Sequence, residues 1–246
     1  MKGEQVSRLR MLVRRVRAWI RWRQMSEVER LNQTYDRDTV RIIESLPANA
    51  NCVDVGASDG AILREMIRAC PNGSHLAFEA RPEAAARLAA SYPMVCVHGV
   101  ALADKVGEAT FNVLDSNPGY SGLRTQTYPG IDARPREIRV PLETLDHVIP
   151  PNQSVAFIKI DVEGAELAVL KGAQALLQRQ RPIVVFECGR AGRESYGLTP
   201  AMVYEFLRSC DLRVSLLSDW LRHRPALTLD RFEAESLRHF YFVAHG

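Results

Sequence analysis

Short apolar runs alternate with stretches whose apolar residues recur every three to four positions, from residue 51 to the end of the chain. Residues 51–55, 75–79, 94–97, 155–160, 183–187 and 240–244 are compact runs rich in Val, Ile and Phe, the pattern of buried strands. Between them, Ile62, Leu63, Met66 and Ile67 share one face of a helix expected over 61–70. Further helices are expected over 82–92, 165–177 and 200–210. Pro82 and Pro200 open two of these, in a first turn where a missing N–H costs nothing, and Thr199 caps the last. Residues 109–113 read as an added antiparallel strand, and 35–46 as an amphipathic helix ended by Pro47. This alternation predicts an α/β fold: a doubly wound, mostly parallel sheet with helices on both faces. Ligands in such sheets bind beyond the carboxyl ends of the strands. The turns at 54–60, 79–80, 99–104 and 161–166 are therefore the candidate site.

Charge divides the chain. Residues 1–24 hold Lys2 and seven arginines against Glu4 alone, a net of +7, which leaves −4 for the rest of a chain whose total is +3. Val6, Leu9, Leu12, Val13, Val16, Trp19 and Ile20 form an apolar stripe at helical spacing opposite the arginines. Two readings of this arm stay open: a helix on an anionic membrane surface, or a helix packed on protein with its arginines in water. The domain organisation is read as a basic arm over 1–34 and one α/β domain over 35–246. Nucleic acid is not expected as a partner, because the body lacks a matching basic face.

Apolar and charged fractions of 46% and 25% are those of a globular protein. The five cysteines are odd in number and lack a Cys-x-x-Cys pair, which argues against a disulfide frame or zinc site. No apolar run reaches the roughly 20 residues of a membrane span, and arginines interrupt the only candidate leader. The expected location is cytoplasmic, peripheral at the inner membrane if the arm binds there.

Chemistry concentrates in two turns. The first, Val53-Asp54-Val55-Gly56-Ala57-Ser58-Asp59-Gly60, leads from a strand tip to a helix N-terminus, a place for a nucleotide-like ligand. A dinucleotide fingerprint needs Gly-x-Gly-x-x-Gly, and here the middle glycine is missing. Asp54 and Asp59 would repel a pyrophosphate but favour the ammonium and sulfonium of S-adenosylmethionine. Each also has a simpler role, Asp54 capping the turn and Asp59 the helix. Glu79, at the second strand end, suits the hydroxyls of a ribose.

The second turn, Asp161-Val162-Glu163-Gly164-Ala165-Glu166, ends a buried strand. Glu166 suits the dipole of the next helix. Asp161 and Glu163, with Glu187 at the following strand tip, are candidate catalytic carboxylates for a proton or a hydroxyl. They are also an oxygen set that Mg²⁺ accepts, although no metal is assigned. His98 ends the third strand as a candidate base or a packed rim residue. The long 115–136 loop, with Asn117, Gly119, Tyr120, Ser121, Arg124 and Tyr128, is either a substrate lid or a surface loop.

Together the segments 53–60, Phe-Glu-Ala-Arg-Pro at 78–82, Val-Ala-Leu-Ala-Asp at 100–104 and Ile-Lys-Ile-Asp-Val-Glu-Gly-Ala-Glu at 158–166 resemble the FkbM-type class I S-adenosylmethionine-dependent methyltransferases. The resemblance covers about residues 38–245. It implies a Rossmann-like fold and O-methylation of a sugar, glycan or related small-molecule hydroxyl. It also implies a cofactor held by Asp54, Gly56, Ala57, Ser58, Asp59, Gly60, Glu79, Ala80, Ala101, Leu102 and Asp161: methionine near Asp54, Gly56 and Ser58, ribose on Glu79, adenine near Ala101 and Leu102, sulfonium near Asp161. Many members carry Asn where this chain has Ser58, which keeps a hydrogen-bonding group. The alternatives are a nicotinamide-dependent oxidoreductase or epimerase, against which the missing glycine counts, and a non-catalytic binder of the same fold.

Overall fold

The structure, a computed structural model, describes residues 26–125 and 134–246. The expected arm helix, and Tyr128 in the 115–136 loop, lie outside the described residues. The chain divides into two units, residues 1–37 and 38–246.

The first described helix, α1 (Glu27–Glu44), starts well before residue 35. Its start is a capping box: the Ser26 Oγ accepts from the Glu29 N–H at 3.2 Å, and the Glu29 carboxylate accepts from the Ser26 N–H at 2.7 Å. The α/β succession then runs β1 (Cys52–Val55), α2 (Ala61–Ala69), β2 (Leu76–Phe78), α3 (Pro82–Ser91), β3 (Cys96–His98), β4 (Ala101–Leu102), β5 (Gly107–Val113), β6 (Arg136–Glu143), α4 (Leu145–Val148), β7 (Phe157–Ile160), α5 (Glu166–Lys171), α6 (Gln174–Gln180), β8 (Ile183–Glu187), α7 (Arg190–Ser195), α8 (Pro200–Ser209), β9 (Arg213–Ser215), α9 (Leu217–Trp220), α10 (Leu229–Glu235) and β10 (Tyr241–His245).

Seven strands form one sheet in the order β3-β2-β1-β7-β8-β10-β9, with β10 antiparallel to both neighbours and the other pairs parallel. β1 and β7 lie at the centre, and the strand order reverses between them, which opens a crevice at their carboxyl ends. Both are buried throughout, as a parallel strand covered on two faces must be. Val53, Val55, Ile158, Ile160 and Phe186 pack on one face. Cys52, Phe157, Val185 and Val243 pack on the other, with Leu63 and Met66 of α2.

Three expectations need correction. Residues 109–113 belong to a longer strand, β5, that joins not the main sheet but a separate one in the order β4-β6-β5. The last part of the expected 115–136 loop runs into β6, whose Ile138, Val140 and Leu142 alternate with exposed Arg139 and Pro141 and pack into the core of the small sheet. The single helix expected over 165–177 is two. The break falls at Gly172, where the backbone passes Ala103 so closely that a Cβ would lie 2.0 Å from the Ala103 carbonyl oxygen. The second of the pair, α6, is then capped from outside, the Asp146 carboxylate accepting from the Ala175 and Leu176 N–H groups at 2.9 and 2.8 Å.

Candidate active site at the strand tips

Sheet register sets the site. Asp54 on β1 stands opposite Lys159 on β7. Period-two alternation places Asp161 two residues on, on the same face as Lys159. One step along, Tyr241 of β10 pairs with Glu187 of β8. A row of polar side chains therefore crosses the sheet just beyond its apolar core. Gly56 fits this row because it has no Cβ: one would sit 1.9 Å from the Asp161 carbonyl oxygen, and its φ is +77°.

Above the row is a cavity of about 420 Å³, within the range of small-molecule sites. Asp54, Glu79, Lys159, Asp161 and Glu163 line it from below. The segment Asn117–Ser121 and Leu123, in the loop that follows β5, also line it. That segment is tied down at its base, where the Ser121 Oγ accepts from the Leu114 N–H at 3.0 Å and Asn112 bridges Gly122. Arg124 anchors its far end, donating to the Ser195 carbonyl at 2.9 Å and stacking 4.6 Å over Tyr196.

The carboxylates differ sharply in state. Asp54 is buried, and neither of its oxygens has a hydrogen-bond partner among the described residues. Burial pushes its pKa up to about 6, the Lys159 charge pulls it back, and the Leu63 N–H lowers it a little without meeting hydrogen-bond geometry. Asp161 is also pushed up by burial, but Lys159 and the Tyr241 hydroxyl outweigh that and hold it below the usual carboxylate range. Its Oδ2 accepts from Lys159 Nζ at 3.0 Å and from Tyr241 Oη at 2.6 Å. Glu187 is driven far up by burial and by the charges of Asp161, Glu166 and Glu163. Carboxylate oxygens of Asp161, Glu163 and Glu187 lie within 4.8 Å of one another.

Glu163 stands in a left-handed conformation at φ +55°, followed by Gly164 at +98°. Glu166 holds that turn: its Oε1 accepts from the Val162 and Gly164 N–H groups at 3.0 and 3.1 Å. Burial raises the Glu166 carboxyl to about 7 against these bonds.

At the other end of the cavity Glu79 is buried between two turns. Its Oε2 accepts from the Ser58 N–H at 2.8 Å, and its Oε1 from the Arg81 N–H and Nε–H, both at 2.9 Å. Arg81 Nη2 also donates to Ser58 Oγ at 3.1 Å.

Of the residues expected from sequence, Asp54, Gly56, Ala57, Ser58, Asp59, Glu79, Ala80, Ala101, Leu102, Asp161 and Glu163 come together around this cavity. Gly60 and Glu187 are not among its lining residues. Gly60 serves the backbone: its φ is +79°, and a Cβ would lie 2.7 Å from Leu88. Asp59 caps α2, accepting from the Ala61 N–H at 3.0 Å. His98 stacks on Phe78 with centroids 4.8 Å apart, and burial lowers its pKa. Sequence reasoning missed Lys159, Tyr241 and Arg81. Lys159 was legible, as a lone charge inside a buried run. Tyr241 was not, because its place depends on β10 pairing antiparallel to β8.

Among the described residues no helix is long and apolar enough to cross a membrane. No curated protein matches the chain. Among solved structures it is similar to a methyltransferase FkbM from Methylobacillus flagellatus KT, at 16% identity and a TM-score of 0.50, over 82% of this chain and 45% of that one. This chain thus spans less than half of that protein's length. A precorrin-6y C5,15-methyltransferase from Geobacter metallireducens GS-15 aligns at 14% identity and a TM-score of 0.41, over 75% of this chain and 73% of that one. A SAM dependent methyltransferase from Aquifex aeolicus aligns at 13% and 0.41, over 85% and 88%. The family model of the methyltransferase FkbM domain matches residues 54–214, from the aspartate of the first turn to the ninth strand, and the chain belongs to that family.

Proposed function

We propose that the chain transfers a methyl group from S-adenosylmethionine to a hydroxyl oxygen of a sugar, glycan or related small molecule. The observation that carries this reading is Asp54: a buried, unpartnered carboxylate at the switch point of the sheet, lining the cavity. Such a group is costly unless a cation meets it. The residues fit S-adenosylmethionine on that ground: Asp54 suits its ammonium, the ionised Asp161 its sulfonium, and Glu79 its ribose. When bound, that cofactor supplies an electrophilic methyl group.

The protein's part is to align the acceptor oxygen, exclude water and take one proton. Asp161 Oδ2 already accepts two donors, which makes it a fixed negative charge and a weak base. Glu163 lines the cavity beside it and is the group we assign to receive the acceptor's proton. Glu187, whose ionisation burial and the neighbouring carboxylates oppose, limits the negative charge the cluster carries. The Asn117–Ser121 segment closes the acceptor side.

Calorimetry tests the cofactor. S-adenosylhomocysteine is expected to bind and NAD not to; the reverse would sink the reading. Glu79→Ala is expected to weaken cofactor binding, and Asp161→Asn to reduce turnover more than binding. A methyl-donor assay on extracted cell-surface glycans, read by mass, tests the acceptor.

A further inference from the structure

The carboxylate expected to receive a ribose is largely occupied. A carboxylate offers about four lone-pair sites. Both on Glu79 Oε1 are taken by the Arg81 N–H and Nε–H, and one on Oε2 by the Ser58 N–H. Arg81 Nη2 lies 3.5 Å from Oε2, too long to claim the other firmly. One acceptor site is left for a diol that has two hydroxyls.

The guanidinium beside it has donors to spare. Of its five N–H groups, Nε serves Glu79 and Nη2 serves Ser58. Nη1 makes no hydrogen bond among the described residues. The Arg81 side chain is only 11% exposed, and it lines the same cavity as Glu79. Its backbone is fixed in place. Arg81 precedes Pro82, which excludes the helical region, and it sits at φ −78°, ψ 116°.

We propose that Arg81 reads the ribose together with Glu79: one hydroxyl of the diol donates to Glu79 Oε2, and the oxygen of the other accepts from the Arg81 guanidinium. This rests on the cofactor reading above and deepens it by adding a binding residue.

The test is calorimetry of S-adenosylhomocysteine and of its 2′-deoxy and 3′-deoxy analogues against the wild type, Arg81→Ala and Arg81→Lys, with heat-denaturation midpoints of the unliganded proteins. In the wild type each deoxy analogue is expected to bind about tenfold more weakly, the scale of one hydrogen bond to a charged group. Arg81→Ala is expected to lose about tenfold for S-adenosylhomocysteine and to bind one of the two deoxy analogues as well as it binds the parent, while still discriminating the other. Arg81→Lys, which keeps the charge but not the fork, is expected to show the same selective loss, and it carries the comparison if the alanine variant does not fold. Equal weakening of all three ligands would mean that Arg81 only props up Glu79, and would overturn the proposal. Unchanged or tighter binding of the parent by either variant would do so as well. If the wild type fails to bind S-adenosylhomocysteine, the cofactor reading itself falls; an Arg81-specific failure leaves wild-type binding intact.

Discussion

Tyr241 Oη donates to Asp161 Oδ2 at 2.6 Å, reaching from the antiparallel strand β10 past Glu187 of β8 to the tip of β7. The bond crosses 80 positions of sequence, so only the sheet order brings the two together. With Lys159 it keeps Asp161 ionised. Tyr241→Phe removes one donor, and the Asp161 pKa then rises toward its ordinary range. The acid limb of the turnover–pH profile is expected to move to higher pH. Turnover is expected to fall about tenfold, with S-adenosylhomocysteine affinity within about twofold of wild type. An unchanged profile would show that Tyr241 does not govern Asp161.

Gly56 is where the first turn presses on the end of β7. An alanine Cβ would meet the Asp161 carbonyl oxygen at 1.9 Å, at a φ of +77°. Both the overlap and the left-handed backbone oppose the change, each at about 1–3 kcal/mol. Gly56→Ala is expected to lower the thermal midpoint by roughly 5–15 °C. Gly119, where an added Cβ meets nothing within 4 Å, is the control: Gly119→Ala is expected to leave the midpoint within about 2 °C. Equal midpoints for the two variants would refute the close approach.

The central strands and both chemical turns were legible because they are local. A buried run ending in Asp-x-Gly or Asp-x-Glu-Gly announces itself within a few residues. The capping box at Ser26 and the alternation at Ile138, Val140 and Leu142 were equally local, and a stricter count of period-two matches recovers β6. What stayed hidden depends on distant chain. Gly172 stands where the chain at Ala103 packs too closely for a Cβ, and no residue near Gly172 says so. Arg81 was given no role from sequence; its pairing with Glu79 follows from a carboxylate folded back against the Ser58 turn.

Glu166 shapes the Glu163 turn through the backbone. Its Oε1 receives the Val162 and Gly164 N–H groups and so holds Glu163 in its left-handed turn. Glu166→Ala orphans both donors and is expected to cost about 2–4 kcal/mol and to reduce turnover. Glu166→Gln keeps the acceptor oxygen and is expected to retain most of both. The two variants separate the carboxyl's geometry from its charge; equal loss in denaturation and in turnover would mean that the charge, not the accepting oxygen, is what matters.

Asp54 should reveal a trade between stability and binding. Burial raises its folded pKa to about 6 from an ordinary 3.8. A carboxyl raised on folding binds its proton more tightly in the native state, so its ionisation opposes folding. That cost is absent below about pH 4, grows between about pH 4 and 6, and is full above. A shift of about two units corresponds to about 3 kcal/mol. Asp54→Asn removes the charge at nearly constant shape. The unliganded variant is expected to match wild type near pH 4 and to exceed it at pH 8 by roughly 5–10 °C in thermal midpoint, while binding S-adenosylhomocysteine at least tenfold more weakly. If the stability gain appears without the loss of binding, Asp54 is a buried charge with no cationic ligand to meet, and the seat assigned to the cofactor's ammonium is wrong.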